Sequence, residues 1–177
     1  MDKLQLALLT AWGEEERQGG IQGRKRMQKV IYFLQQAGCP VDAEYSLHHY
    51  GPYSREVANI TDIMVAEGLL EEIGGGNAGG QYTYTLSDRT RPMIQRIDRT
   101  QSVEEFEAFR DKAVELLEED LWLLELGSTI LYFRSRGKQP NWSAALQKAC
   151  EYKRSNPENP ASRDALTLAQ RFGPPDA

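Results

Sequence analysis

The chain has 177 residues, a formal net charge of −5 and 40% hydrophobic residues, which is an ordinary globular composition. Its overall charge does not favour nucleic acid, although a local basic patch can still contact phosphates within an acidic protein. The length allows one well-packed domain, or two small lobes that share a core.

The same sequence predicts a cytoplasmic protein without a membrane segment. No apolar run approaches the roughly 18 residues of a membrane-spanning helix, and the start, residues 1–4, lacks the basic and apolar stretches of a signal peptide. Cys39 and Cys150 are too few for a disulfide framework and are expected to be free thiols.

Two helices are predicted at the start of the chain. The first covers 3–12, and the second begins after Gly23 and ends before Gly38 and Pro40. Apolar residues recur along the second helix with the spacing of one amphipathic face. They are Met27, Val30, Ile31 and Leu34.

A short strand over 45–50 follows, and we expect it to end at a turn formed by Gly51 and Pro52. Ser54 is the predicted N-cap of a third helix that runs to Ala66. The corner between this strand and this helix contains the most distinctive segment of the chain.

After this helix, the spacing of the apolar residues changes from the helical repeat to alternation at every second residue. Residues 69–73 and 81–86 alternate as two strands, and the glycine-rich segment 74–80 joins them as a loop. Helix, helix, strand, helix and hairpin is the winged-helix order. Residues 1–100 are therefore predicted to be a winged-helix-like region with a short β-hairpin wing.

Residues 101–177 are predicted to be helical and to pack against the first region, so that the fold class is mainly α with a small β part (α+β). A helix over 91–99 links the two, and Ser102 is expected to begin a capping box with Glu105. A helix that restarts at Asp120 is apolar nearly all round, so it should lie at the centre of a bundle.

No pattern demands catalysis. Gly74, Gly76 and Gly79 match a dinucleotide fingerprint, but the following segment is a strand and not the helix that such a site needs. His48 and His49 are adjacent and point to opposite faces of a strand, so they cannot easily share a metal. We therefore predict no enzyme activity, no cofactor and no metal.

Two basic clusters favour an alternative function as a winged-helix DNA-binding regulator. One lies at the start of the second helix, and the other follows the wing, where several arginines fall near one face of the predicted helix over 91–99. If the clusters converge, they could contact phosphates. Their members are Arg24, Lys25, Lys29, Arg89, Arg91, Arg96 and Arg99.

Three segments resemble the YwgA-like and Panacea-domain families of small prokaryotic and phage proteins. They are Arg26 to Leu34, the Tyr50-Gly51-Pro52-Tyr53-Ser54 corner, and the helix end Glu67 to Leu70. The resemblance covers about residues 20 to 75 and implies an antitoxin-like or adaptor-like protein that acts by binding another protein. It carries over no catalytic residue.

The first hypothesis is accordingly a protein-interaction module, of an antitoxin-like, adaptor-like or phage-conflict kind. Its predicted surface contains Tyr50, Tyr53 and Arg55, because tyrosine and arginine are favoured at protein interfaces. The expected partner is another protein, such as a toxin, an adaptor target or a defence component. Nucleic acid is the alternative, and a homodimer is compatible with either.

Overall fold

The fold is known from a computed structural model, which describes residues 1–15, 19–75, 80–137 and 139–174. Within these ranges the chain is mainly helical and has two small antiparallel sheets. In chain order the elements are α1 (Lys3–Glu15), β1 (Ile21–Gln22), α2 (Arg24–Gln36), β2 (Ser46–His48), β3 (Gly51–Tyr53), α3 (Arg55–Ala66), β4 (Leu70–Gly74), β5 (Tyr82–Leu86), α4 (Arg91–Gln95), α5 (Gln101–Glu107), α6 (Arg110–Glu118), α7 (Leu121–Ser135), α8 (Trp142–Lys153) and α9 (Pro160–Phe172).

The two strands predicted from alternation are confirmed as β4 and β5, which pair antiparallel with Leu70 opposite Leu86. A third strand, β1, was not predicted, because two residues cannot show a period. It pairs with β5 through Ile21 and Tyr84, so the strand order of the sheet is β1-β5-β4. The middle of the predicted glycine-rich loop, 76–79, lies outside the described residues.

The predicted turn at Gly51 and Pro52 is wrong, because both residues lie in a strand. β2 and β3 form a two-stranded hairpin in which Leu47 pairs with Pro52 and His48 pairs with Gly51. The chain therefore reverses direction at residues 49–50. Proline has no N–H to donate, but both strands of a two-stranded hairpin are edge strands, where proline is tolerated.

The link between the two halves also differs from its prediction. α4 ends at Gln95, so Arg96 and Arg99 lie beyond it and do not share a helical face with Arg89. The predicted capping box is absent, since α5 begins at Gln101 and the Ser102 hydroxyl lies 3.0 Å from the Thr100 hydroxyl. The helical stretch is further divided at residues 108–109 into α5 and α6.

The apolar helix α7 is central, as predicted, and it packs against α2, α8, α9 and β3. Gly127 permits this close approach: a Cβ there would lie 3.2 Å from Phe33 Cζ and 3.1 Å from the Ala165 carbonyl oxygen. Phe33 in α2 and Phe172 in α9 pack edge to face with ring centroids 5.5 Å apart. One hydrophobic core therefore contains side chains from both halves of the chain.

Asp120 begins α7, and its carboxylate accepts hydrogen bonds from the backbone N–H groups of Trp122 at 2.8 Å and Leu123 at 3.2 Å. We expect Asp120→Ala to lower the free energy of unfolding by about 1 kcal/mol, the usual contribution of an N-cap. Chemical denaturation monitored by circular dichroism measures this change. Asp88→Ala, which removes a fully exposed carboxylate outside a cap, should change stability by less than half as much. Equal effects would contradict the capping role.

Candidate functional site at the Tyr50 to Tyr53 corner

The hairpin of β2 and β3 lies directly against α7, and Gly51 is the point of contact. Its φ angle of 96° belongs to a region that favours glycine. A Cβ on Gly51 would lie 2.7 Å from Thr129 Oγ1 and 3.3 Å from the Glu125 carbonyl oxygen. Glycine therefore allows the hairpin backbone to touch the central helix.

Gln28 in α2 fixes the other end of the hairpin. Its amide nitrogen donates to the Ser54 carbonyl oxygen at 2.9 Å, and its amide oxygen accepts from the Ser54 N–H at 2.9 Å. Ser54 in turn caps α3 as predicted, since its hydroxyl accepts from the Val57 N–H at 3.3 Å. Gln28 and Ser54 are both buried, so these hydrogen bonds hold the corner in one position.

Lys29 lies beneath the hairpin, with only 2% of its surface exposed. Its Nζ donates a 2.7 Å hydrogen bond to the Pro52 carbonyl oxygen. Burial lowers the pKa of Lys29 to about 7, although attraction to Glu125 partly opposes this, and repulsion from Lys153 and Lys25 adds to it. The amine therefore changes its protonation state near neutral pH.

Two further lysines surround Glu125 next to the corner. Lys25 Nζ lies 3.7 Å from a carboxylate oxygen of Glu125, and Lys153 Nζ lies 3.3 Å from the other. Lys25 also lies over the Tyr50 ring, with its Nζ 3.4 Å from the ring centroid, a geometry that favours a cation–π interaction. Lys25 and Lys153 share this one carboxylate, and Lys29 is attracted to it without forming an ion pair.

A pocket of about 210 Å³ opens between α2 and the hairpin. The Tyr53 ring forms one side of it and packs against His48, with ring centroids 4.8 Å apart. The described lining residues include aromatic and basic side chains but no carboxylate, and the surface that they expose to the pocket is mostly apolar. It consists of Arg24, Lys25, Gln28, Lys29, His48, Tyr50, Gly51 and Tyr53.

The residues that were predicted to bind protein do not all lie in the same pocket. Tyr50 is 48% exposed and lies at the pocket together with Tyr53. Arg55 is exposed on α3 and lines a separate cleft, which it shares with Tyr53 and Glu56. Tyr53 therefore connects the pocket to the outer surface of α3.

The first predicted basic cluster comes to the same pocket, but its members are not equivalent. Arg24 forms ion pairs with Asp62 at 2.7 Å and Glu72 at 3.0 Å. Lys25 is half exposed, whereas Lys29 is buried beneath the hairpin. Lys29 is therefore not part of an exposed basic surface and can be approached only through the pocket.

Three of the four residues of the second predicted basic cluster pair with acidic or carbonyl groups. Arg89 donates to the Glu67 carbonyl oxygen at 2.6 Å. Arg91 forms ion pairs with Glu14 at 3.0 Å and Asp88 at 2.9 Å. Arg99 forms an ion pair with Glu107 at 3.1 Å, and Arg96 is exposed at the end of α4.

The comparisons with known proteins support the YwgA-like part of the resemblance noted in the sequence. No family model matches the chain. Over 116 residues the chain is 32% identical to the uncharacterized protein YwgA of Bacillus subtilis (strain 168), and the aligned region covers 65% of this chain and 67% of that protein. The chain belongs to the YwgA family.

Sequence reasoning missed several residues at the corner of this YwgA-family chain. Glu125 and Lys153 come from α7 and α8, far from the hairpin in sequence, and no local pattern connects them to it. Gln28 does lie within the family-like segment of α2, and this membership was the only sequence signal for it.

The described part of the YwgA-family chain contains no group of three or more histidine, cysteine or acidic side chains placed to hold a metal ion. Cys39 and Cys150 are both buried, and burial raises the pKa of Cys39 to about 12, so Cys39 is a thiol and not a thiolate at neutral pH. Across the described residues, every helix is too short or too polar to cross a lipid bilayer.

Proposed function

We propose that this YwgA-family chain is a non-enzymatic protein-binding module of an antitoxin-like or adaptor-like kind, and that the Tyr50 to Tyr53 corner is its docking surface. The observation that carries the proposal is an aromatic corner held rigidly beside a pocket. Interface hot spots are rich in tyrosine and arginine, and they lie in well-packed pockets. A surface that is already ordered also loses less conformational entropy when it binds.

The hydrogen bonds beneath the corner supply this order. Gln28 holds Ser54, Lys29 holds Pro52, and Gly51 rests on α7. Tyr50 stays 48% exposed above these contacts. The corner therefore combines a fixed backbone with an accessible aromatic side chain, which suits recognition of a protein better than a role in the core.

We further propose that the first half is a winged-helix-like region, because α1, β1, α2, α3, β4 and β5 follow one another in that order and β1 pairs with β5. DNA binding remains the alternative. In such a fold α3 would face the DNA, but the exposed residues of α3 and its C-cap include three acids and Arg55 as the only base. The acids are Glu56, Asp62 and Glu67. Asp62 pairs with Arg24 and Glu67 pairs with Lys3, so this face carries little free positive charge, which favours a protein partner over phosphates.

The test compares capture of partners from cells that naturally express the chain. The tagged wild type and the Tyr50→Ala/Tyr53→Ala double variant are crosslinked in cells, and recovered proteins are quantified by mass spectrometry with and without nuclease. We expect the double variant to recover at least about tenfold less of a specific partner, as for the loss of an interface hot spot. Arg55→Ala, in a separate arm, tests whether the surface extends to α3.

Met93→Ala is the control, because Met93 is 60% exposed on α4 and does not line the corner pocket. It should capture the same partner as the wild type. Equal capture by the double variant would remove the corner as the docking surface. Capture that nuclease abolishes would favour the DNA-binding alternative.

A further inference from the structure

The pocket beside Tyr50 and Tyr53 has a chemistry that selects its ligand. We infer that it binds the carboxylate side chain of an acidic segment in the partner protein, with glutamate as the best fit. This inference rests on the proposed protein-binding function and names the group that the docking surface recognises.

The first support is the unused hydrogen-bonding capacity of Lys29. A lysine ammonium has three N–H donors, and among the described residues Lys29 Nζ has one acceptor, the Pro52 carbonyl oxygen at 2.7 Å. The side chain lines the pocket although only 2% of the residue is exposed. A buried donor without an acceptor is costly, so a carboxylate that enters the pocket would satisfy it.

The second support is the local charge. Lys25 and Lys153 both form ion pairs with the single carboxylate of Glu125, and Lys29 lies near enough to be attracted by Glu125 and repelled by both lysines. Burial lowers the pKa of Lys29 to about 7 because Glu125 does not fully offset the desolvation of its amine. One further carboxylate would offset it and would form charge-assisted hydrogen bonds, which are stronger than neutral ones.

The size and walls of the pocket favour a side chain over a nucleic-acid strand. A volume of about 210 Å³ holds one side chain, and the rings of Tyr50 and Tyr53 can pack against the methylene groups that precede a glutamate carboxylate. The positive excess amounts to one or two charges on a chain whose net charge is −5. Such a field suits a single carboxylate better than a row of phosphates.

The test uses purified protein and three probes, so it needs no identified partner. The probes are N-acetyl-L-glutamate N-methylamide, its glutamine counterpart and inorganic phosphate. Each is titrated at pH 6.5 into 15N-labelled protein, and the amide signals of Gly51 and Tyr53 are followed by NMR. We expect saturable shifts with the glutamate probe and at least about tenfold weaker binding of the glutamine probe, which lacks the charge.

Lys29→Met and Lys25→Gln should each weaken binding of the glutamate probe by about tenfold or more. Two variants are used because Lys29 is buried and its replacement could disturb the fold, whereas Lys25 is half exposed. Lys148→Gln is the matched control: Lys148 is an exposed lysine on α8 that pairs with Glu151 and does not line the pocket. It should bind the glutamate probe as the wild type does.

Three results would overturn the inference: no shift with the glutamate probe, equal binding of the glutamine probe, or tighter binding of inorganic phosphate. Partner capture that still depends on Tyr50 and Tyr53 would then leave the proposed function in place while removing its acidic ligand. In the converse result, the glutamate probe binds the pocket but partner capture does not depend on Tyr50 and Tyr53. The pocket would then be a carboxylate site outside the docking surface, and the inference that it recognises the partner would be overturned.

Discussion

Gly51→Ala should lower the free energy of unfolding by about 3 kcal/mol. Two costs add: a non-glycine residue at a φ of 96° is strained by about 1 kcal/mol or more, and its Cβ would lie only 2.7 Å from Thr129 Oγ1. Neither the hairpin nor α7 can shift freely, because Gln28 holds the hairpin end and α7 is packed in the core. Overpacking of this kind typically costs 1–3 kcal/mol. Urea denaturation followed by circular dichroism measures the sum.

Gly38→Ala is a close control, since Gly38 has a φ of 91° but nothing lies within 4 Å of the position that its Cβ would occupy. It should cost about 1 kcal/mol, from backbone strain alone. The difference between the two variants isolates the contact between the hairpin and α7. Equal losses of stability would mean that this contact does not hold the corner.

The stability of the protein should rise with pH above neutrality through Lys29. Its pKa is about 7 in the folded state, well below the ordinary lysine pKa of 10.5. Between these values the unfolded chain binds more protons than the folded one, so raising the pH favours folding by up to about 1.4 kcal/mol per unit. Below about pH 7, Lys29 is protonated in both the folded and the unfolded chain, so its contribution to the free energy of unfolding no longer changes with pH.

Lys29→Met removes the titrating group. We expect the free energy of unfolding of the wild type, minus that of Lys29→Met, to increase by about 3 kcal/mol from pH 7 to pH 9.5. The comparison cancels the titration of groups that do not interact with Lys29, and Lys148→Met should show no such trend, because Lys148 is exposed. A difference that stays constant with pH would contradict the low pKa of Lys29.

Much of the fold follows from local patterns. The stripe from Met27 to Leu34 marks α2, the alternation around Tyr84 marks β5, and Ser54 and Asp120 cap the helices that they were expected to begin. Each of these signals depends on neighbours within a few residues. That range is the one over which helical and strand periods act.

The errors arise where distant contacts decide the local structure. Gly51 and Pro52 are typical turn residues, yet α7 and Lys29 hold them in a strand. Tertiary contacts therefore override propensity at the corner.

The candidate site was predictable only in part for the same reason. Tyr50 and Tyr53 stand out in the sequence, and both lie at the pocket. Lys29 belongs to a helix with one clear apolar stripe, which suggests that its other faces are solvated. The hairpin covers Lys29, and α7 and α8 bring Glu125 and Lys153 beside it.

Because α7 and α8 complete the corner, the Tyr50 to Ser54 segment is not a portable peptide. Transplanted alone into another scaffold, it would lack Thr129 beneath Gly51 and the Glu125–Lys153 pair beside Tyr50. An engineer who wishes to reuse this recognition surface would have to move α2, the hairpin, α7 and α8 as one unit. New specificity is more readily introduced by varying exposed side chains such as Tyr50 and His48 while the buried support remains unchanged.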